Sequence, residues 1–216
     1  AKTPIVNIVG DQATYHAPLL PPLAADTEGW ARPVSVWTKK VTRAEDLGAA
    51  AAEAVCASRV SPGGIATLIL PSDVSWNEGG KEAAALPVPA APKVSAEAVR
   101  EAARVLRLGQ PTVIMLGLSA LSAPALELAH RIAAKTGARL KSPTFNGRIA
   151  RGQGRYPLDI VPYPVDLAVA EMADVKHLVL VGTGEPVAFF EGDFLYIVRH
   201  RRLLDLFIEL ARLNLR

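Results

Sequence analysis

Thr112-Val-Ile-Met-Leu116 runs straight into Gly117-Leu-Ser-Ala-Leu121, and Ser122-Ala-Pro-Ala-Leu-Glu-Leu-Ala-His130 follows. A short, nearly continuous apolar run closed by glycine reads as a strand buried on both faces, as strands are in parallel sheets. The longer run after Ser122 reads as a helix over residues 122–136, with Ser122 as N-cap and Gly137 where a left-handed residue is wanted. Residues 109–126 carry no charge, yet Gln110, Pro111, Thr112, Gly117, Ser119, Ser122 and Pro124 interrupt the apolar character that a membrane span requires. Strand, turn and helix start is therefore the reading.

The same grammar extends both ways. Upstream, Ser95 is placed to cap a helix over residues 95–108. Downstream come a strand at 138–141, a loop with Gly147, Gly152, Gly154 and Pro157, a helix at 165–173 and a strand at 177–181. Nearer the start, residues 4–9 form an apolar run closed by Gly10-Asp11, expected to be buried on both faces. A Pro- and Ala-rich loop follows through Pro33. A helix at 44–59 should present Leu47, Ala51, Ala54 and Val55, and Pro62-Gly63-Gly64 turns the chain into a strand at 65–70. Strands alternating with helices predict an α/β protein with parallel, Rossmann-like sheets. Residues 78–93 gather Pro87, Pro89 and Pro92 among alanines and read as a semi-rigid linker at a domain boundary.

The 216 residues are 50% hydrophobic and 6% aromatic, which suits alanine-rich helices around short strands and excludes a disordered chain. Twenty-four basic and 21 acidic residues are interspersed, leaving +3, so nothing points to nucleic acid. One cysteine, Cys56, cannot form an internal disulfide, and four scattered histidines lack metal-ligand spacing. Cys56, among helical alanines, reads as a core residue, and His130 and His177 as structural. No basic region followed by an apolar stretch and cleavage site opens the chain, and a cytoplasmic, non-membrane setting is expected. All 17 prolines precede residue 191. Beyond it, Leu203, Leu204, Phe207, Ile208 and Ala211 form an apolar stripe with helical spacing, and a helix is expected there.

Several turns invite chemical readings. The Ser119 turn falls short of a nucleophile elbow, because Leu121 stands where the second glycine belongs. Gly182-Thr183-Gly184 and Gly152-Gln153-Gly154 lack the third glycine of a dinucleotide fingerprint. Ligands of Rossmann-like sheets nevertheless sit at the carboxyl ends of strands, so a nucleotide would meet Gly117, Ser119, Gly182 and Thr183. Ordinary turn chemistry explains the same residues. Asp11-Gln-Ala-Thr-Tyr-His16 follows the first strand on the same side of its sheet, where His16 can shuttle a proton or simply fix the loop.

Two segments, Pro4-Ile-Val-Asn-Ile-Val-Gly-Asp-Gln-Ala-Thr-Tyr-His16 and Ile65-Ala-Thr-Leu-Ile-Leu-Pro-Ser-Asp-Val-Ser-Trp-Asn-Glu78, resemble the second half of the pyrimidine-binding domain of thiamine diphosphate enzymes of the acetolactate synthase type. Arg139-Leu-Lys-Ser-Pro-Thr-Phe145, Arg151-Gly-Gln-Gly-Arg155, Pro162-Tyr-Pro-Val-Asp166 and His177-Leu-Val-Leu-Val-Gly-Thr-Gly-Glu-Pro-Val-Ala-Phe-Phe190 resemble the central domain of the same enzymes. The resemblance implies a parallel-sheet half-domain at 1–80 and a Rossmann-like central domain at 95–190, and composition adds a linker at 81–94 and a divergent helical tail at 191–216.

It also implies chemistry. The family uses thiamine diphosphate and Mg²⁺ to decarboxylate or carboligate 2-oxo acids, the cofactor ring serving as electron sink, and the full enzymes are homodimers or homotetramers. A glutamate that activates the aminopyrimidine and a Gly-Asp-Gly segment that holds Mg²⁺ have no counterpart here, since Gly10-Asp11 and Gly192-Asp193 are not followed by glycine. The chain alone is therefore expected to be inactive, the middle of a longer enzyme. The resemblance stops after Phe190, where composition shifts, as in a truncated or frame-shifted reading of a longer gene. Gln12 and His16 are the expected substrate-side residues. Related sequences carry His at the position of Gln12, and Asp-Ala-Pro-Leu where this chain reads Leu20-Pro-Pro-Leu23, which leaves the substrate open. The central domain holds FAD in acetolactate synthases and ADP or nothing in relatives, and no run here demands FAD. A stand-alone module binding FAD or ADP at Gly117 and Gly182, or a non-functional truncated product, are the alternatives.

Overall fold

The structure, a computed structural model, describes residues 2–187 and the backbone of 202–206. It divides into two compact units, Lys2–Ala91 and the described residues from Pro92 onward.

In the first unit, β1 (Ile5–Asp11), β2 (Trp37–Lys40) and β3 (Ile65–Pro71) form a parallel sheet in the order β1-β3-β2. The central strand is the apolar one. Ala66, Leu68 and Ile69 are buried, and α2 (Leu47–Arg59) lays Ala50, Ala54 and Ser58 against the sheet, joined by Val41 and Val74. Small side chains at this face let helix and sheet approach closely. The face differs from the expected one at one residue, because Val55 lies 45% exposed. A larger difference concerns β1. It was expected to be covered on both sides, yet it is the sheet's edge, with Ile5 43% and Ile8 67% exposed. β2 and the short helices α1 (Thr27–Ala31) and α3 (Ser72–Trp76) fall in stretches that carry no periodicity. Asp26 caps α1 by accepting from the Gly29 amide at 2.8 Å. β1 and β3 end level, with Asp11 opposite Pro71.

The second unit is a five-stranded parallel sheet, β6-β5-β4-β7-β8, of β4 (Thr112–Leu116), β5 (Arg139–Ser142), β6 (Asp159–Ile160), β7 (His177–Val181) and β8 (Arg202–Leu206). Every residue of β4 and β7 is buried. Their alternate side chains serve opposite faces: Ile114, Leu116, Val179 and Val181 meet Ala102 of α4 (Ala96–Leu106) and Leu126 and Ala129 of α5 (Ala123–Thr136). Val113, Met115, Leu178 and Leu180 meet Ala168 and Met172 of α6 (Val165–Met172). This is the doubly wound α/β arrangement expected. Ser95 caps α4, accepting from the Ala98 amide at 3.1 Å, and Gly137 ends α5 with φ 72°. Ser122 sits at the N-cap of α5 without a side-chain bond. Pro124, two residues on, has no N–H to offer it.

The tail departs from expectation. Within the stretch read as helix, Arg202–Leu206 is strand β8, parallel to β7 with His177 opposite Arg202. A wholly buried strand such as β7 needs backbone partners on both edges, and that requirement overrides the local helical spacing. Residues 207–211 of the same expectation lie outside the described residues.

Candidate functional site

Three parallel strands deliver their carboxyl ends to one edge of the first unit, and polar side chains gather there. Asp11, the last residue of β1, has a side chain only 8% exposed. Its Oδ2 accepts from Lys40 Nζ at 2.7 Å and Thr27 Oγ1 at 3.0 Å, and its Oδ1 accepts from the Gln12 amide at 2.8 Å. Burial pushes the Asp11 carboxyl up, but the Lys40 ammonium, the Gln12 amide and the Thr27 hydroxyl together outweigh it and hold the group below the usual carboxylate range. Asp73, in the first turn of α3, accepts the Thr14 amide at 2.9 Å on Oδ1 and the Thr14 hydroxyl on Oδ2. Those two bonds, the hydroxyl's foremost, hold its carboxyl below the ordinary value as well.

Between these anchors run residues 12–16. The turn closes on the buried Ala13, whose carbonyl accepts from the His16 and Ala17 amides, both at 2.9 Å. Gln12 is half-buried and its Nε2 donates to the Pro22 carbonyl at 3.3 Å, while His16 is exposed. The two expected substrate-side residues thus lie on one short turn at the carboxyl edge. An amide that both donates and accepts and a solvent-facing imidazole can orient a polar substrate and move a proton. Asp11 and Thr14 belong to the polar cluster already legible after the first strand, whereas Thr27, Lys40 and Asp73, which brace it from elsewhere, are not among the residues the sequence singles out. An acid two or three residues past each of the apolar runs at 4–9 and 65–70 was the available signal.

The second unit brings Gly117, Gly182 and Thr183 together. The chain leaves β4 toward β5 and β6 on one side and β7 on the other, so the switch point of the sheet falls between β4 and β7. In open α/β sheets that crevice is where ligands bind. Here the Gly117 amide donates to the Val181 carbonyl at 2.9 Å, and a Cβ on Gly117 would lie 2.7 Å from the Gly182 carbonyl oxygen. Gly182 has φ 66°, and a Cβ on it would lie 2.5 Å from the Gly117 oxygen. The two turns press against each other, which by itself accounts for both glycines. Ser119 is exposed, and Thr183 Oγ1 donates to the Gly184 carbonyl at 3.3 Å.

No family model matches the chain. A Mycobacterium tuberculosis protein assigned as an acetolactate synthase large subunit is 42% identical over 190 residues, 88% of this chain and 36% of that protein. Over those 190 residues this chain is similar to an acetolactate synthase large subunit. It spans about a third of the length of that relative. Among solved structures, a Mycobacterium smegmatis protein assigned as thiamin diphosphate-dependent superposes with a TM-score of 0.71 at 21% identity, over 94% of this chain and 40% of that one. The benzoylformate decarboxylase of Polynucleobacter necessarius gives 0.66 at 19%, over 94% and 39%. The thiamine diphosphate-dependent 4-hydroxybenzoylformate decarboxylase of Rhodococcus jostii RHA1 gives 0.70 at 18%, over 93% and 39%. At these identities the superpositions show the shared fold.

The similarity to acetolactate synthase large subunits makes thiamine diphosphate and Mg²⁺ the groups to test against the residues present. The described residues contain no group of three His, Cys, Asp or Glu placed to hold a metal ion. The Asp11 carboxylate after Gly10 is already engaged by Lys40, Thr27 and the Gln12 amide. Among the described residues the donor set does not fit the metal ion. Nor does any helix among them have the length and apolarity to cross a membrane.

Proposed function

We propose that this chain supplies part of a thiamine diphosphate- and Mg²⁺-dependent enzyme that decarboxylates or carboligates 2-oxo acids. The supporting observation is the 42% identity to the acetolactate synthase large-subunit relative, maintained over 88% of the chain. In this reading residues 1–80 are the second half of the pyrimidine-binding domain and 95–190 the central domain. The glutamate and the metal-binding segment belong to other parts of a longer chain. The first unit contributes the substrate-facing turn. Gln12 orients the substrate through its amide, and His16 holds or delivers a proton at its exposed ring. The whole enzyme works as a homodimer or homotetramer, in the cytoplasm.

The test uses the whole natural gene product with thiamine diphosphate and Mg²⁺, following CO₂ release from a panel of 2-oxo acids. Turnover that requires both additions is expected, and H16A should lower kcat by on the order of 10²-fold. The 216-residue chain assayed in parallel should release none. Saturable binding of FAD or ADP by this chain, with no turnover by the whole product, would replace the proposal with a nucleotide-binding module.

A further inference from the structure

The Asp73 carboxylate is buried, at 9% exposure, yet both of its oxygens reach the same residue 59 positions earlier in the chain. That residue, Thr14, is the midpoint of the turn carrying Gln12 and His16. Because β1 and β3 end level, Asp73 leaves its strand two residues beyond Pro71 while Thr14 lies three beyond Asp11. The contact therefore spans neighbouring strand ends. Two acceptors on a rigid carboxylate, one for the amide and one for the hydroxyl, define the direction of the Thr14 peptide as well as its position. The 13–14 peptide also carries the carbonyl that accepts from the His16 and Ala17 amides, so its orientation sets where the His16 Cα points.

We infer that Asp73 is a positioning residue for the turn at 12–16, acting through Thr14 to orient Gln12 and His16 without touching substrate. The inference rests on the reading of Gln12 and His16 as substrate-facing. Asp11 fixes where the turn begins and Asp73 fixes its middle, so the turn is tied to β1 and α3 of the same unit. Catalytic side chains need support of this kind, because small misplacements of a reacting group carry large rate penalties.

The chain itself, uniformly ¹⁵N-labelled and without cofactor, provides the test through amide exchange and imidazole spectra of D73A, D73N and T14V. In D73A the Thr14 amide should exchange at least about tenfold faster. The backbone signals of 12–17 and the His16 ring signals should move, while those of α2 and central β3 stay. Asn retains an acceptor for the Thr14 amide and a donor for its hydroxyl oxygen, so D73N should restore the wild-type turn spectrum. T14V, which keeps the amide bond and loses the hydroxyl, should shift the same signals part of the way. Should D73A fail to fold, the T14V spectrum decides alone, and an unmoved turn refutes the assignment. Wild-type turn signals in D73A, or a D73N spectrum as altered as that of D73A, would equally overturn it. None of these readouts depends on turnover, so an absence of 2-oxo acid chemistry in the whole enzyme would leave them standing and remains a separate outcome.

Discussion

Lys40 Nζ lies 2.7 Å from Asp11 Oδ2, joining the carboxyl end of β2 to that of β1 across the intervening β3. The Asp11 side chain is 8% exposed and that of Lys40 27%, so the pair is shielded from solvent on the acid's side. Removing Lys40 leaves a buried carboxylate with two neutral donors. K40M should therefore cost about 1–3 kcal/mol at pH 7. The sign with pH follows from Asp11, whose folded-state pKa is depressed. Its contribution is full above the unfolded carboxyl pKa of about 4 and is lost as pH falls through the lower folded value. Urea titrations at pH 7 and pH 3 should show a K40M deficit that shrinks in acid.

The contact between Gly117 and Gly182 makes a different prediction. A Cβ at either position meets the other's carbonyl oxygen, at 2.7 and 2.5 Å, and Gly182 carries the left-handed φ of 66°. G117A and G182A should each destabilise by about 1–3 kcal/mol, with G182A the worse because it adds conformational strain to the clash. The double variant should cost less than the sum, since one separation of the two turns relieves both clashes. Thermal unfolding of the three variants checks this.

What was legible in the sequence was whatever short range decides. β4 and β7 are continuous apolar runs and appear where the composition puts them, as do the Ser95 cap and the Gly137 stop. The pairing of Asp73 with Thr14, 59 residues apart, was not legible, because a side chain's partner across a sheet leaves no local pattern. β2 was hidden for a related reason. Trp37-Thr-Lys-Lys40 has no alternation to declare it, and it becomes a strand only because β3 offers an edge. β8 shows the converse, a helical spacing overridden by the pairing needs of β7.

The edge position of β1 yields a test by contrast. Ile8 is 67% exposed, whereas Ile69 on the neighbouring strand is fully buried. In this chain I8K should alter stability by no more than about 0.5 kcal/mol, while I69A should cost about 2–5 kcal/mol. I8K should also slow aggregation in light scattering, because a charge on an exposed strand edge opposes pairing with other chains. A large loss of stability in I8K would mean that β1 is covered in solution.

Lys141 and Glu171 give the last prediction, which turns on an asymmetry of burial. Lys141 on β5 is 3% exposed in its side chain and bonds Glu171 on α6, with Asp159 Oδ2 4.0 Å away. The Glu171 side chain is 34% exposed, although its Oε2 is buried without a hydrogen bond. Deleting the acid leaves an ammonium that water cannot reach. Deleting the base leaves a carboxylate that a small rotation returns to solvent, and methionine fills the vacated volume. E171A should therefore destabilise by about 3–5 kcal/mol and K141M by under about 1.5 kcal/mol. Combining them should recover most of the E171A loss, since no charge then remains buried. Denaturant midpoints for the two single variants and the double variant complete a mutant cycle, and equal losses in the two single variants would show that the pair matters for its attraction rather than for where each charge is buried.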